Sequence, residues 1–125
     1  MPKTILIVDD DELSVKLFGD LLTERGYNVI KTDTGRDVQM LARDNRPDLI
    51  LMDIRLPEIS GLDAFKLLRD DPGTKDIPVI AVTAFALKGD EEKYCEAGFD
   101  GYISKPILMP KYLDMIEKHL NGGVD

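Results

Sequence analysis

The stretch Asp48-Leu49-Ile50-Leu51-Met52-Asp53, followed by Ile54-Arg55-Leu56-Pro57, decides the fold of this chain. Its four consecutive apolar residues are typical of a strand that is buried on both faces, as in the middle of a parallel sheet. Asp53 comes where this burial should end, and Pro57 and Gly61 then lead the chain out of the strand towards a helix. Because α/β folds bind their ligands at the carboxyl edge of the sheet, Asp53 is a candidate reactive group.

The composition limits the class of protein. The 125 residues predict one domain, residues 1–125, without a separate output domain. A net charge of −8 argues against nucleic-acid binding, which needs clustered Lys and Arg for phosphate contacts. No apolar run approaches the roughly 20 residues that cross a bilayer, so membrane insertion is not expected. The single cysteine, Cys95, excludes an internal disulfide and fits a reducing compartment, so we expect a cytoplasmic protein.

Apolar runs and helical patterns alternate along the chain. Strands are predicted at residues 4–8, 28–32, 48–53, 77–83 and 101–104, each followed by a helical segment. This alternation predicts a single doubly wound α/β domain of the flavodoxin-like (βα)5 class, with a parallel sheet. The first, third and fourth strands are the most apolar and should be central, while the polar second and the short fifth should be edges. Right-handed crossovers then favour the strand order 2-1-3-4-5.

Two helices deserve separate predictions. The predicted inner face of the first helix consists of four apolar residues: Leu13, Leu17, Phe18 and Leu21. The segment 85–97 has a weaker helical signal, because Gly89 interrupts it and residues 88–93 are polar all round. We therefore expect the fourth helix to be loosely held.

Polar residues stand at the ends of four predicted strands. Asp9 and Asp10 follow the first strand, Asp53 ends the third, Thr83 ends the fourth and Lys105 follows the fifth. The carboxyl ends of parallel strands share one edge of the sheet, so these side chains should converge. Three nearby carboxylates repel one another, and Mg²⁺, which takes oxygen ligands from carboxylates and phosphates, would offset that repulsion. With Lys105 and Thr83 suited to phosphoryl oxygens, the set predicts phosphoryl transfer onto Asp53 as nucleophile.

Each of these residues also has a structural explanation when taken alone. Acid pairs such as Asp9-Asp10 are common at helix starts, because carboxylates favour the N-terminal end of the helix dipole. Thr83 alone is most often a strand end, and Lys105 alone is most often a solvated lysine. Their joint occurrence, each at the end of a different parallel strand, favours a shared site.

The same residues resemble the receiver domains of two-component response regulators, and the resemblance covers nearly the whole chain. The matching motifs are Ile7-Val8-Asp9-Asp10, Leu51 to Pro57 with Gly61, Thr83-Ala84, and Tyr102-Ile103-Ser104-Lys105-Pro106. Residues 56–61 and 81–86 further resemble members of this family that consist of a receiver domain alone and control cell division. This joint pattern is specific to the family.

The resemblance implies how the site would work. Asp53 would accept a phosphoryl group from a phosphohistidine on a histidine kinase or phosphotransfer protein. Asp10, Asp53 and the backbone carbonyl of Arg55 would bind Mg²⁺ directly, while Asp9 would act largely through water. The chain would catalyse only its own phosphorylation and dephosphorylation. It would signal by binding another protein, with a kinase of the same phosphorelay as one candidate.

The resemblance also implies a switch. Lys105 would pair with a phosphoryl oxygen, Thr83 would move to bond another, and Tyr102 would swing inward behind Thr83. The moving parts would be the loop at residues 84–89 and the polar fourth helix, whose weak helical signal fits an element with two positions. The structural alternative for Tyr102 is an exposed aromatic residue on an edge strand.

Three other functions remain open from the residues alone. An aspartate-nucleophile phosphatase of the haloacid-dehalogenase type would use Asp9-Asp10-Asp11, but Leu13 replaces the expected hydroxyl or small branched residue and no cap domain is present. A flavodoxin-like cofactor module would need a phosphate-binding loop after the first strand, where acids would repel phosphate. A receiver that binds partners without phosphorylation would not need the five site residues.

Arg55 and Phe85 are expected to tune the lifetime of the phosphoryl group. Arg55 lies two residues after the nucleophile and Phe85 two after Thr83, so both flank the expected path of the hydrolytic water. We expect Phe85 to shield the acyl phosphate, and Arg55 to screen the anion or guide a partner. The phosphorylated wild type should therefore lose phosphate more slowly than a Phe85→Ala variant, measured after removal of the donor. Equal or slower loss from the variant would contradict this role.

Overall fold

The computed structural model describes residues 3–56, 58–83, 90–104 and 109–120, and shows a five-stranded parallel sheet between two layers of helices. The strands are β1 Thr4–Val8, β2 Asn28–Thr32, β3 Leu49–Asp53, β4 Val79–Thr83 and β5 Gly101–Ser104. The helices are α1 Glu12–Glu24, α2 Val38–Asn45, α3 Gly61–Asp70, α4 Asp90–Ala97 and α5 Met109–Leu120, with a 3₁₀ turn at Gly35–Asp37 before α2. The strand order is β2-β1-β3-β4-β5, so the predicted fold class and strand order are confirmed.

The sheet separates two apolar cores, because successive side chains of a strand point to opposite faces. One core joins the sheet to α1 and α5, and its buried members are Ile5, Ile7, Phe18, Leu22, Leu49, Leu51, Ile80, Val82, Ile103, Leu113, Ile116 and Leu120. The other joins the sheet to α2, α3 and α4, and its buried members are Leu6, Val8, Val38, Ala42, Ile50, Met52, Ala64, Phe65, Leu68, Val79, Ala81, Tyr94 and Phe99. All five residues of β3 and of β4 are buried, as expected for central strands covered on both faces.

The prediction that Leu13 and Leu17 belong to the inner face of α1 is wrong. Leu13 is 65% exposed and Leu17 is 46% exposed, whereas Phe18 and Leu22 are buried against the sheet. Apolar residues occur on several sides of this helix, so helical spacing alone does not determine which side faces the core. The larger pair, Phe18 and Leu22, packs inward at a spacing of four residues, and Leu13 and Leu17 are left on the outer surface.

Polar caps begin the two helices that follow β1 and β3. The Asp11 carboxylate accepts a hydrogen bond from the Leu13 amide at 3.1 Å, at the start of α1. The Ser60 hydroxyl accepts one from the Asp63 amide at 3.2 Å, at the start of α3. These caps satisfy amide groups that have no partner within the helix, and they fix where the chain turns after each strand. No helix in the described part of the chain is long and apolar enough to cross a bilayer.

The start of α3 approaches the end of β3 very closely at Gly61. The Gly61 amide donates to the Ile54 carbonyl oxygen at 2.9 Å. A Cβ atom at Gly61 would lie only 2.1 Å from the Asp53 carbonyl oxygen, far inside any tolerated contact. Glycine is therefore required at residue 61 by space, and this contact holds the turn that follows Asp53.

Substitution of Gly61 by Ala should destabilise the protein, because the Asp53 backbone must move to admit the methyl group. We expect a loss of roughly 2–3 kcal/mol in the free energy of unfolding, in the range of overpacking substitutions. Gly73→Ala is the matched control, since a Cβ there would meet only the Asp71 carboxylate at an ordinary 3.4 Å. Urea denaturation of both variants measures the difference. Equal free energies of unfolding for the two variants would contradict this prediction, because they would show that the turn after Asp53 accommodates a methyl group at residue 61.

Candidate functional site

Three carboxylates meet at the carboxyl edge of the sheet, where the sequence places them. Asp9, Asp10 and Asp53 each offer an oxygen atom, and these atoms lie within 4.8 Å of one another. Asp9 is 3% exposed and Asp53 is 5% exposed, while Asp10 is exposed to solvent. The site therefore has two buried acids at its base and one acid at its mouth.

Backbone amide groups orient the two buried acids. The Asp9 carboxylate accepts a hydrogen bond from the Asp11 amide at 2.9 Å, and the Asp9 amide donates to the Thr32 carbonyl oxygen at 3.1 Å. The Asp53 carboxylate accepts from the Arg55 amide at 3.0 Å through its Oδ1 atom. Both carboxylates are thus held by the turn that directly follows their own strand, which fixes their direction relative to the sheet.

The chemistry of these ligand atoms fits a hard divalent cation. At 4.8 Å, two carboxylates repel each other by about 3 kcal/mol at an effective dielectric constant near 20. A divalent cation with oxygen ligands turns this repulsion into attraction, and Mg²⁺ commonly binds to one or two carboxylates and several waters. The three acids therefore form a group that is able to hold a metal ion.

Thr83 and Arg55 lie beside the acids. Asp53 pairs with Val82 in the parallel register, so Thr83 is one residue further along the neighbouring strand. Thr83 is 3% exposed, so this residue is buried at the end of β4. Arg55 is exposed, and its amide contacts the Asp53 carboxylate.

Tyr102 is half-buried and its hydroxyl oxygen is buried, which differs from the alternative of an exposed aromatic residue on an edge strand. Its ring stacks on that of Tyr94, with ring centroids 6.0 Å apart. Three residues named from the sequence, Phe85, Lys105 and Pro106, and the loop at 84–89 lie outside the described residues. Their roles remain predictions.

The residues that follow β2 also lie at this edge of the sheet, which was not predicted from the sequence. This strand also ends at the carboxyl edge, and a cavity of about 420 Å³ there is lined by Asp10, Asp33, Thr34, Arg36, Asp37 and Glu58. Arg36 and Glu58 form an ion pair at 3.2 Å across this cavity, joining the turn after β2 to the turn after β3. The predicted strand order would have indicated this, since residues after β2 share the edge of the sheet with those after β1 and β3.

Comparison with known proteins shows the family to which this chain belongs. The family of the response regulator receiver domain matches residues 5–117, and the chain belongs to that family. The polar-differentiation response regulator DivK of Brucella anthropi is 54% identical over 123 residues, which cover 98% of this chain and 100% of that protein. DivK of Brucella ovis is 52% identical over the same length and coverage.

Two solved structures extend the comparison. The receiver domain of a sensor histidine kinase from Pseudomonas aeruginosa has a TM-score of 0.87 and 30% identity, over 97% of this chain and 99% of that chain. In that protein a magnesium ion is coordinated in the active-site cleft. A response regulator from Desulfuromonas acetoxidans has a TM-score of 0.88 and 28% identity, over 95% and 97% of the two chains.

Removal of one carboxylate should have opposite effects with and without metal. Without metal, Asp10→Asn relieves repulsion and should raise the free energy of unfolding by roughly 0.5–2 kcal/mol. In the wild type, Mg²⁺ at ten times its Kd should add about 1.4 kcal/mol, and the variant should lose most of this gain. Thermal unfolding in chelator and in Mg²⁺ measures both effects.

Asp20→Asn provides the control for the change in net charge. Asp20 is exposed on α1 and is not a member of the acidic group, so this variant should keep the Mg²⁺ response of the wild type. An Asp10→Asn protein that is stabilised by Mg²⁺ as strongly as the wild type would show that the cation binds elsewhere.

Proposed function

We propose that this response regulator accepts a phosphoryl group on Asp53 from a phosphohistidine, in a Mg²⁺-dependent reaction, and signals by binding another protein. The observation that carries the proposal is the grouping of Asp9, Asp10 and Asp53, whose carboxylate oxygens lie within 4.8 Å of one another. Asp53 is the member that ends a fully buried strand, so its carboxylate is fixed by the sheet itself. A nucleophile on a rigid element can be held in a geometry suited to attack.

The chemistry follows from how Asp53 is held. Its Oδ1 atom accepts the hydrogen bond of the Arg55 amide, which orients the carboxylate. A carboxylate oxygen of Asp53 forms a bond to phosphorus as the bond between phosphorus and the donor imidazole nitrogen breaks. The electron pair of the broken bond stays on that nitrogen, and the other nitrogen of the donor ring carries a proton, so the products are an acyl phosphate on Asp53 and a neutral histidine. Bound Mg²⁺ would supply positive charge to the phosphoryl oxygens. Water later cleaves the acyl phosphate and releases inorganic phosphate.

The remaining site residues receive roles that the family resemblance supports. Asp10, Asp53 and the Arg55 carbonyl would hold the metal directly, with Asp9 orienting its water. Lys105 would pair with a phosphoryl oxygen. Thr83 would bond another oxygen, and its buried place next to the partner of Asp53 in the sheet supports this role.

Two exposed leucines support a protein as the phosphoryl donor. Leu13 and Leu17 are one helical turn apart on α1, and Leu13 follows closely after the acids Asp9 and Asp10. An apolar surface beside a charged site fits a partner that covers the site while it reacts. A protein donor would cover this apolar surface while its phosphohistidine reacts, whereas a small phosphodonor would not need it.

The chain matches the two DivK relatives over their entire length, which supports a function of the same kind. Both relatives are regulators of polar differentiation, so we extend the proposal to the control of cell division or cell polarity. The downstream partner would be a protein that distinguishes the phosphorylated surface, and a kinase of the same relay is one candidate.

The proposal is tested by labelling with acetyl phosphate and Mg²⁺. The wild type should gain one phosphoryl group, detected as a mass increase on the intact protein, and Asp53→Asn should gain none, because an amide is not a nucleophile. Asp20→Asn should be labelled like the wild type. Removal of Mg²⁺ by a chelator should prevent labelling.

Two results would contradict the proposal. Labelling that survives in Asp53→Asn would place the acceptor elsewhere, and Asp9 and Asp10 would be the next candidates. Repeated hydrolysis of p-nitrophenyl phosphate with Mg²⁺ would favour the aspartate-nucleophile phosphatase, because a receiver domain would not turn over an external phosphomonoester.

A further inference from the structure

A cavity of about 540 Å³ lies between α2 and the turn that follows α3, apart from the three carboxylates. Three arginines line it, namely Arg36, Arg43 and Arg46, and we call it the arginine cavity. The chain has six arginines and a net charge of −8, so half of its guanidinium groups meet in this one place. Among the described residues that line the cavity, Asp44 is the one acid. The arginine cavity is therefore a positively charged site on an acidic protein.

Arg43 is held in a fixed direction from behind. Its Nε atom lies 3.3 Å from Oδ2 of Asp71, whose side chain is only 12% exposed. No other residue that the structure describes engages the two terminal amino groups of Arg43. A guanidinium group that is bound through Nε keeps its terminal amino groups as a pair of donors, which matches two oxygens of a phosphate. Arg43 is thus arranged to bind an anion.

Asp71, which holds Arg43, is itself fixed by two hydrogen bonds. Its Oδ1 atom accepts from the Gly73 amide at 2.9 Å, and its Oδ2 atom accepts from the side-chain amide of Gln39 at 3.0 Å. These bonds, that of Gly73 first, and the nearby charge of Arg43 lower the pKa of the Asp71 carboxyl. Asp71 therefore stays ionised at neutral pH. Arg43 gains a permanent support, which is typical of residues that are preorganised for binding.

Arg46 occupies a backbone position that does not favour an arginine. It ends α2 in the left-handed conformation, with φ 45° and ψ 62°. Glycine or asparagine adopts this conformation at lower cost. The Arg46 side chain is exposed and forms no ion pair with any residue that the structure describes. The fold therefore gives no reason for an arginine at residue 46, whereas an anion in the cavity would give one.

Arg36 lies near the opposite end of α2, in the 3₁₀ turn Gly35–Asp37. The dipole of α2 favours a cation near Arg46 but disfavours one near Arg36, so the dipole does not explain all three arginines. Arg36 pairs with Glu58 at 3.2 Å, and the two side chains are 68% and 54% exposed. An ion pair with this exposure contributes little stability. Arg36 is therefore able to exchange Glu58 for another anion.

We propose that the arginine cavity binds the phosphate group of a small organic phosphate, such as a nucleotide. Arg43 supplies an oriented pair of donors, and Arg46 and Arg36 add positive charge on either side. The volume exceeds that of a phosphate ion and lies in the range of small-molecule sites. Met40, which lines the same cavity and is 55% exposed, offers an apolar surface on which a ring can pack. This site does not depend on the phosphorylation of Asp53.

The proposal is tested by titration of the whole, isotope-labelled chain with AMP, inorganic phosphate and adenosine. Chelator is present throughout, so that no metal draws phosphate to the acids at the edge of the sheet. Amide chemical shifts of residues 36–46 and of Gly73 report binding at the arginine cavity. We expect AMP to shift these amides, and to bind more tightly than inorganic phosphate because its ring packs on Met40. Adenosine, which has no phosphate, should leave them unchanged at the same concentration.

Four variants locate the site. Arg43→Gln and Arg46→Asn should each lower the affinity for AMP by roughly 10-fold or more, as expected for the loss of a charged donor. Asparagine suits the left-handed backbone of residue 46, so Arg46→Asn should fold even if Arg43→Gln does not. Asp44→Asn removes the acid from the cavity and should raise the affinity roughly 2- to 5-fold. Arg25→Gln, which changes an exposed arginine next to Glu117, controls for net charge and should bind like the wild type.

Equal affinity for AMP in the wild type, Arg43→Gln and Arg46→Asn would overturn the proposal. An equal loss in Arg25→Gln would also overturn it, because the attraction would then come from net charge alone. AMP that binds no more tightly than inorganic phosphate would overturn the organic ligand. If a pentaglutamate peptide shifts the amides of residues 36–46 and AMP does not, the cavity instead serves an acidic protein partner and the proposed small ligand is wrong.

Discussion

The repulsion among three carboxylates is the constraint on which the rest of this structure depends. Asp9 and Asp53 are almost completely buried, yet they lie beside each other and beside Asp10. A protein without a use for these charges would gain stability by replacing at least one of them. The parallel sheet keeps them together because β1 and β3 are neighbours and end at the same edge. The fold therefore stores an unfavourable arrangement that a cation is able to relieve.

The remainder of the sheet keeps that arrangement rigid. All residues of β3 are buried, and the close approach of Gly61 to the Asp53 carbonyl oxygen leaves the turn after the strand no room to relax. Backbone amides of Asp11 and Arg55 fix the directions of the two buried carboxylates. Rigid packing on this side contrasts with α4, in which only one of the side chains that the structure describes is buried. The Asp53 site is therefore the more rigid part of the described structure, and α4 is the more weakly packed part.

The sequence was sufficient for the sheet and for the three acids, because both follow from strong local patterns. Runs such as Leu49–Met52, bounded by turn residues, favour a strand covered on both faces, and an acid at the end of such a strand has a defined place in a parallel fold. The outer position of Leu13 was not predictable from spacing, since α1 has apolar residues on several sides and the sheet selects among them. The burial of Tyr94 was not predictable either, because one aromatic residue in a polar helix does not produce an amphipathic pattern. Its ring packs against Phe99 and Tyr102, which are adjacent to it only in the folded protein.

Helices α1 and α4 lie on opposite sides of the sheet. Helix α1, with Leu13 and Leu17 exposed, packs on the core that it shares with α5, whereas Tyr94 of α4 belongs to the other core. The carboxyl edge with Asp53 lies between these layers. A phosphodonor that covers α1 would therefore leave α4 accessible, because the two helices pack on opposite faces of the sheet.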